Sequence, residues 1–158
     1  MSEDFFTVDM DIRIDKNGTW YYEGAEMTRK DIVDHFYRHL KKDETGRYLI
    51  EIGKERCYPV VEDTPFVIKA IRRAYSEEKA KDIIYLIMPD DSLEILDPST
   101  LRIGDENVLY CKIFETKYDA RFSRSGYYQL AEFIEHDHEK DLYFISLNGQ
   151  SYYLNNKE

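Results

Sequence analysis

The sequence has little cysteine, no long apolar run and no dense basic segment. Only two cysteines, Cys57 and Cys111, occur among its 158 residues, too few for a disulfide framework or a four-cysteine zinc site. No apolar run approaches the roughly 20 residues of a membrane-spanning helix, and the acidic start Ser2-Glu3-Asp4 is unlike a signal peptide. We therefore expect a cytoplasmic protein with reduced thiols and no membrane partner.

Acidic residues outnumber basic ones by 32 to 22, so the formal net charge is −10. Duplex binding depends on Lys and Arg side chains that neutralise phosphates, but the densest basic group is only Lys69, Arg72 and Arg73. The charge therefore argues against a nucleic-acid partner. The sequence also lacks a P-loop and a Gly-x-Gly-x-x-Gly segment, so we expect no cofactor.

Tyrosine is abundant, with fourteen copies, and it suits half-buried strands. The first half of the chain opens with alternating apolar and polar residues over Val8–Ile14, which predict a strand. Asn17-Gly18 is a turn signal, and Thr19–Tyr22 returns as a second strand. Thr28 then provides a helix N-cap, and an apolar stripe predicts a helix to about Lys42.

The later segments are predicted in the same way. Phe66–Tyr75 fits a helix or a strand, and its β-branched residues favour a strand. Ser76–Asp82 is charged and marks the predicted boundary between two units. A helix is expected from Ser123 to about His136. Asn148-Gly149 predicts the turn of a closing hairpin.

Residues 25–59 align with residues 120–154 at one constant offset. Ala25 aligns with Ala120, Arg29 with Arg124 and Tyr48 with Tyr143, and no gap is needed between them. Internal repeats of this kind decide a fold. We therefore predict an α+β protein that arose by internal duplication, with similar units at residues 1–77 and 78–158. Each unit is expected to have a small antiparallel sheet packed with one helix, and the second unit is expected to pack closely on the first.

A series of short motifs resembles a bacterial family catalogued as domain of unknown function 1285. The motifs are Gly18-Thr-Trp20, Glu23-Gly24, Arg29, Gly46-Arg-Tyr48 and Val61-Glu-Asp-Thr-Pro-Phe66. Tyr22 stands where that family usually has histidine, which puts any role of the histidine in doubt here. The resemblance implies a duplicated α+β fold and no known enzyme activity. It also implies the suggested role in signalling, through binding of a ligand or protein.

The candidate ligand-binding residues are Trp20, Tyr22, Glu23, Arg29 and Arg124. Aromatic side chains and a carboxylate at a strand end, before a helix, are suited to line a pocket, although Trp20 is equally suited to anchor a core. Arg29 and Arg124 would clamp an anion in one hypothesis. In the favoured alternative each arginine pairs with a nearby carboxylate, which for Arg29 is Glu23 or Glu26.

Other reactive side chains give weaker signals. His136, His138, Glu139 and Asp141 are possible metal ligands, but the spacing supplies no third characteristic ligand, so we predict no metal site. His35 and His39 lie one helical turn apart and are expected on a solvated face. Glu62-Asp63 precedes Pro65 and is expected to form a turn. No catalytic residue is assigned.

These observations favour a non-enzymatic binding or regulatory protein, with signal transduction through a small molecule or protein bound at a cleft between the units. An enzyme of hydrolase type, with an acidic or histidine-based site, is the first alternative. A module that only binds other proteins, including a homodimer, is the second.

Overall fold

The computed structural model describes residues 5–156, so the acidic start at Ser2–Asp4, on which the signal-peptide prediction depends, lies outside the described residues. The chain forms two compact units that divide between Pro65 and Phe66. Both units combine a helix with β-sheets, which confirms the predicted α+β class. Neither α-helix of the described chain has the length and apolar character needed to cross a bilayer.

The first unit contains one helix and two four-stranded sheets. The helix is α1 (Lys30–Tyr37). Its strands are β1 (Phe6–Thr7), β2 (Ile12–Ile14), β3 (Trp20–Tyr22), β4 (Ala25–Glu26), β5 (Leu40–Lys42), β6 (Tyr48–Ile52), β7 (Glu55–Cys57) and β8 (Val60–Val61). One sheet has the order β1-β7-β6-β5 and the other has the order β4-β3-β2-β8.

Two tight turns shape the second of these sheets. Asp15 Oδ1 accepts the backbone N–H groups of Asn17 and Thr19 at 2.9 Å each, which closes the predicted turn between β2 and β3. Glu23 and Gly24 both have positive φ, 49° and 83°, as in a two-residue hairpin turn whose twist matches that of its strands. This turn brings β4 back beside β3 and directs the chain towards α1.

Helix α1 is shorter than predicted and begins one residue later. The N-cap position is Arg29 rather than Thr28, and no side chain caps the helix. The predicted extension to Lys42 is wrong because Leu40–Lys42 forms β5, in which Leu40 pairs with Ile50. A short apolar segment fits the periodicity of a helix or of a strand. Here the pairing of Leu40–Lys42 with β6 makes the segment a strand.

The second unit contains one helix and three sheets. The helix is α2 (Arg124–Ala131), and one-turn 3-10 helices lie at Pro98–Thr100 and Asp105–Asn107. Its strands are β9 (Val67–Ile68), β10 (Ala70–Ser76), β11 (Lys81–Ile87), β12 (Leu93–Ile95), β13 (Arg102–Ile103), β14 (Leu109–Ile113), β15 (Tyr118–Phe122), β16 (Ile134–Asp137), β17 (Leu142–Leu147), β18 (Gln150–Tyr153) and β19 (Asn155–Asn156). The sheet orders are β10-β11-β12, β19-β13-β14-β15-β9 and β16-β17-β18.

The start of α2 agrees with prediction, whereas its end does not. Ser123 is the N-cap, and its Oγ accepts the N–H of Gly126 at 3.0 Å. The predicted continuation to His136 is wrong because residues 134–137 form β16, paired with β17. The strand prediction for Phe66–Tyr75 is confirmed by β9 and β10.

The predicted unit boundary at Ser76–Asp82 coincides with the connection between β10 and β11. These two strands form one antiparallel pair from Ala70 opposite Ile87 to Ser76 opposite Lys81, so a division there would cut a hairpin. The observed division after Pro65 leaves this hairpin intact. A charged loop has the same composition whether it joins two units or two strands.

The prediction of purely antiparallel sheets is also corrected. Four of the strand pairs are parallel: β1 with β7, β2 with β8, β13 with β19 and β15 with β9. A parallel pair has no connecting tight turn. The sequence therefore carries no local signal for it.

Candidate functional site

The first unit contains an apolar cavity of about 500 Å³ between its β3–β4 hairpin and helix α1. The hairpin side contributes Tyr22, Ala25 and Glu26, and the segment that leads into the helix contributes Met27, Thr28 and Arg29. The remaining wall consists of Met10, Ile32 and Phe36. We call this space the outer cavity. Most of its lining is apolar, with polar groups at a few positions, which is the usual character of a small-molecule site.

Trp20 lies in the core and is not among the lining residues. Only 2% of its surface is exposed, and its ring stacks on Phe36 with 6.5 Å between ring centroids. Phe36 does line the outer cavity. The arrangement therefore supports the core interpretation of Trp20, whose ring contacts Phe36 behind the lining of the outer cavity.

Tyr22 and Glu23 are adjacent in sequence but have different surroundings. Tyr22 lines the outer cavity and is 43% exposed. Glu23 occupies the hairpin turn, where its backbone N–H donates to the carbonyl of Asp11 at 3.0 Å. The carboxylate that lines the cavity belongs instead to Glu26, which the sequence suggested only as a partner for Arg29.

Arg29 lines the outer cavity and forms an ion pair with Asp31. Its Nη2 and Nε donate to the two carboxylate oxygens of Asp31 at 2.6 and 3.2 Å, and 71% of the Arg29 side chain is exposed. The hydrogen bonds from Arg29 hold the pKa of Asp31 below its ordinary value. A local carboxylate was the favoured prediction, but the predicted partners, Glu23 and Glu26, were the wrong ones.

Arg124 belongs to the second unit, where it is the first residue of α2 and is exposed. It aligns with Arg29 in sequence, but the N-cap position in α2 is the preceding residue, Ser123. The joint anion clamp of Arg29 and Arg124 stays a prediction.

A smaller cavity of about 90 Å³ adjoins the outer one. We call it the inner cavity. Met10 and Phe36 line both spaces, so these two side chains form the wall that separates them. The inner cavity is otherwise lined by Val8, Ile12, Ile50, Ile52, Glu55, Arg56 and Cys57.

Sequence reasoning missed Met10, Ile32 and Phe36 as cavity residues. Each belongs to an apolar pattern that predicted a strand or a helix. The same spacing describes a side chain packed in the core and one that faces a cavity. Ile32 is 36% exposed in the folded unit. The spacing of apolar residues in the sequence does not predict this exposure.

The histidines lie away from both cavities. In the second unit His136 Nε2 lies 2.9 Å from Asp141 Oδ1, and its Nδ1 lies 3.0 Å from His138 Nδ1, but 91% of the Asp141 side chain is exposed. In the first unit His39 Nδ1 lies 2.8 Å from the carbonyl of His35. Across residues 5–156, no three His, Cys, Asp or Glu side chains converge as metal ligands.

The match to a known family concerns this same unit. Residues 4–64 match the family described as domain of unknown function (DUF1285), N-terminal domain. This match makes the first unit similar to the DUF1285 N-terminal domain over nearly its whole length. The resemblance inferred from the motifs is confirmed for this unit.

Two solved DUF1285 family proteins share the fold. The protein from Silicibacter pomeroyi DSS-3 is 22% identical, with a TM-score of 0.76 over 97% of this chain and 83% of its own. The protein from Shewanella baltica OS155 is 20% identical, with a TM-score of 0.61 over 77% of this chain and 90% of its own. Among curated proteins, none matches this chain.

Proposed function

We propose that this protein binds a small, mainly apolar molecule in the outer cavity of its first unit. The observation that carries the proposal is the cavity itself, about 500 Å³ in volume and lined by six apolar or aromatic side chains. Ligand pockets commonly measure about 300–1,000 Å³ and have this composition.

The exposure of two lining side chains supports the proposal. Tyr22 is 43% exposed and Ile32 is 36% exposed, so both present apolar surface to water. Covering such surface contributes roughly 25 cal/mol for each Å² removed from water. A ligand in the cavity would gain this energy without disturbing the buried core residues Ile12, Ile14 and Trp20.

Binding fits the site better than catalysis. The ionisable side chains that line the outer cavity are Tyr22, Glu26 and Arg29, and Arg29 is already engaged by Asp31. General acid–base chemistry requires a titratable group within reach of a reacting atom. We therefore propose a regulatory binding role, and the signalling role suggested by the family resemblance is its natural context.

We also propose that the two units arose by duplication. Helices α1 and α2 each have eight residues and each precedes three antiparallel strands, β5–β6–β7 and β16–β17–β18. Ile50 pairs with Cys57, and the aligned Ile145 pairs with Tyr152. The matching register supports a common origin, because a strand pair can be offset in many ways.

A thermal-shift screen of apolar metabolites tests the binding proposal. A ligand present at about 100 times its Kd is expected to stabilise the protein by about 2.7 kcal/mol. Ala25→Trp would fill the outer cavity from the exposed strand β4 and should abolish the shift. Val60→Trp is the matched control, because Val60 is exposed on β8 at the other edge of the same sheet and lines neither cavity.

The two variants separate binding in the cavity from binding elsewhere. A hit whose shift is lost with Ala25→Trp and kept with Val60→Trp supports the proposal. Compounds that give the same thermal shift with Ala25→Trp as with the unmodified chain would refute the outer cavity as the binding site.

A further inference from the structure

The outer and inner cavities together describe an elongated apolar space. The outer cavity measures about 500 Å³ and the inner one about 90 Å³. Only Met10 and Phe36 belong to the walls of both. Methionine has three rotatable bonds and adapts readily to a neighbouring group. A change in the Met10 side chain would therefore alter the boundary between the two spaces.

Cys57 marks the far side of this space. Its side chain lines the inner cavity, and its Sγ lies 3.7 Å from the backbone carbonyl of Met10. Cys57 therefore lies beside the Met10 backbone on the lining of the inner cavity. The side chain is 6% exposed, so a group that reaches it has left bulk water.

The charges around the space disfavour an anionic ligand. Two arginines contribute to the walls, Arg29 outside and Arg56 inside, and each already faces a carboxylate. Arg29 contacts Asp31 at 2.6 Å, and Arg56 contacts Glu51 at 3.5 Å. Glu26 adds negative charge to the outer lining. A carboxylate ligand would compete with Asp31 for Arg29 and would be repelled by Glu26, whereas an uncharged polar group would not be repelled.

We infer that the ligand is a single-chain amphiphile, with an uncharged head group in the outer cavity and a hydrocarbon tail that passes Met10 and Phe36 into the inner cavity. The inference rests on the binding function proposed above and names the ligand class for that site. A bulky or rigid ligand would occupy the outer cavity alone.

The tail makes a quantitative prediction about chain length. Each buried methylene contributes about 0.8 kcal/mol, or roughly a fourfold decrease in Kd. The inner cavity holds about three water-sized groups, because a water occupies about 30 Å³ of liquid. The gain in affinity that comes from the inner cavity should therefore be limited to about three methylenes, and it is the part of the gain that a variant with a filled inner cavity should lose.

The experiment measures the Kd of normal alkanols, from hexanol to dodecanol, for the full chain and for two variants. Val8→Phe would fill the inner cavity from a half-buried position and should weaken the longest alkanols by roughly 60-fold, which is about three methylenes. The short alkanols should be unaffected. Val60→Phe, at an exposed position outside both cavities, should behave as the unmodified chain.

Alkylation of Cys57 by iodoacetamide, followed by mass spectrometry, locates the tail independently of any variant. Saturating dodecanol should slow the reaction of Cys57, and hexanol should not. Cys111 is the internal reference, because it is 1% exposed and burial raises the pKa of its thiol to about 12. Burial also raises the pKa of Cys57, so the reaction is best followed at alkaline pH.

The outcomes distinguish this inference from the proposed function. Alkanols that bind without a dependence on chain length, or without protecting Cys57, would overturn the tail in the inner cavity but leave binding in the outer cavity intact. Dodecanoate that binds more tightly than dodecanol would overturn the uncharged head group. If no alkanol binds, the amphiphile is excluded, and the metabolite screen with Ala25→Trp still decides the broader proposal.

Discussion

The two helix-and-hairpin segments of this protein, residues 30–57 and 124–153, have the same order of elements and different packing. Helix α2 has a side-chain N-cap, because Ser123 Oγ accepts a hydrogen bond from the backbone N–H of Gly126. A Cβ atom on Gly126 would lie 3.0 Å from the carbonyl oxygen of Ile68, so this helix approaches a neighbouring strand closely. Glycine permits this approach because it has no side chain.

Helix α1 has neither feature. No side chain caps its first turn, and the position of Gly126 in the sequence alignment is occupied by Asp31, which is exposed and paired with Arg29. Ile32 and Phe36 border a cavity instead of a filled core. The two helices therefore pack differently: α2 lies close to a strand at Gly126, whereas α1 borders an apolar cavity at Ile32 and Phe36.

The largest expected effect comes from Trp20, whose aligned position in the second unit is Glu115. Trp20→Ala should destabilise the protein by about 3–5 kcal/mol, because it removes a buried aromatic side chain and leaves a void beside Phe36. Glu115→Ala, at an exposed position, should change the stability by less than about 0.5 kcal/mol. Urea unfolding followed by circular dichroism measures both, since Trp20 is the only tryptophan available for fluorescence. Equal effects would contradict the different packing.

A smaller effect is expected at the helix starts. Ser123→Ala should cost about 1 kcal/mol through loss of the cap to Gly126. Thr28→Ala, at the aligned position, should cost less than about 0.5 kcal/mol, because the N-cap position of α1 is Arg29 and no side-chain cap exists there. Thermal unfolding of the two variants tests the difference. A Thr28→Ala loss as large as that of Ser123→Ala would mean that α1 is capped after all.

The smallest expected effect depends on pH. Tyr153 Oη donates to Asp137 Oδ2 at 2.8 Å, and this hydrogen bond keeps the pKa of Asp137 below its ordinary value. A lowered folded pKa stabilises the protein above the unfolded pKa of about 3.9, and the contribution disappears as the pH falls through the folded pKa. Asp137→Asn should therefore be less stable than the natural chain at neutral pH, and the difference should shrink below about pH 4.

The first unit supplies the control for this prediction. The aligned residues there are Lys42 and Tyr58, a pair that has no carboxylate. Tyr153→Phe should reproduce the pH dependence of Asp137→Asn, whereas Tyr58→Phe should give a difference that is flat between pH 3 and 7, because the aligned pair has no group that titrates there. If the stability difference between Tyr153→Phe and the unmodified chain does not change with pH, the hydrogen bond is not the cause of the pH dependence.

Local chemistry predicted the hairpins of this fold well. Asn17-Gly18, Gly53 and Asn148-Gly149 each lie in a connection between paired strands. These turns depend on positive φ at specific residues, which a short sequence expresses directly. The serine cap of α2 was predictable for the same reason, because a hydroxyl group needs only its own helix to act.

Prediction failed wherever a remote partner decided the structure. Both helices were predicted too long, since Leu40–Lys42 and Ile134–Asp137 became strands by pairing with β6 and β17. The sequence contains no local pattern that predicts the four parallel strand pairs. Of the candidate site residues, Tyr22 and Arg29 were predicted and do line the outer cavity, whereas Met10, Ile32 and Phe36 were found only in the folded unit.

The sequence by itself determined the α+β class, the hairpin turns, the similarity of the first unit to the DUF1285 family and two residues that line the outer cavity. The tertiary structure alone decided that Trp20 is buried, that Arg29 pairs with Asp31, and that Met10 and Phe36 separate two apolar cavities. The reason is physical. Turns and caps act over a few residues, whereas a cavity is the space left when residues distant in sequence fail to fill the volume between them.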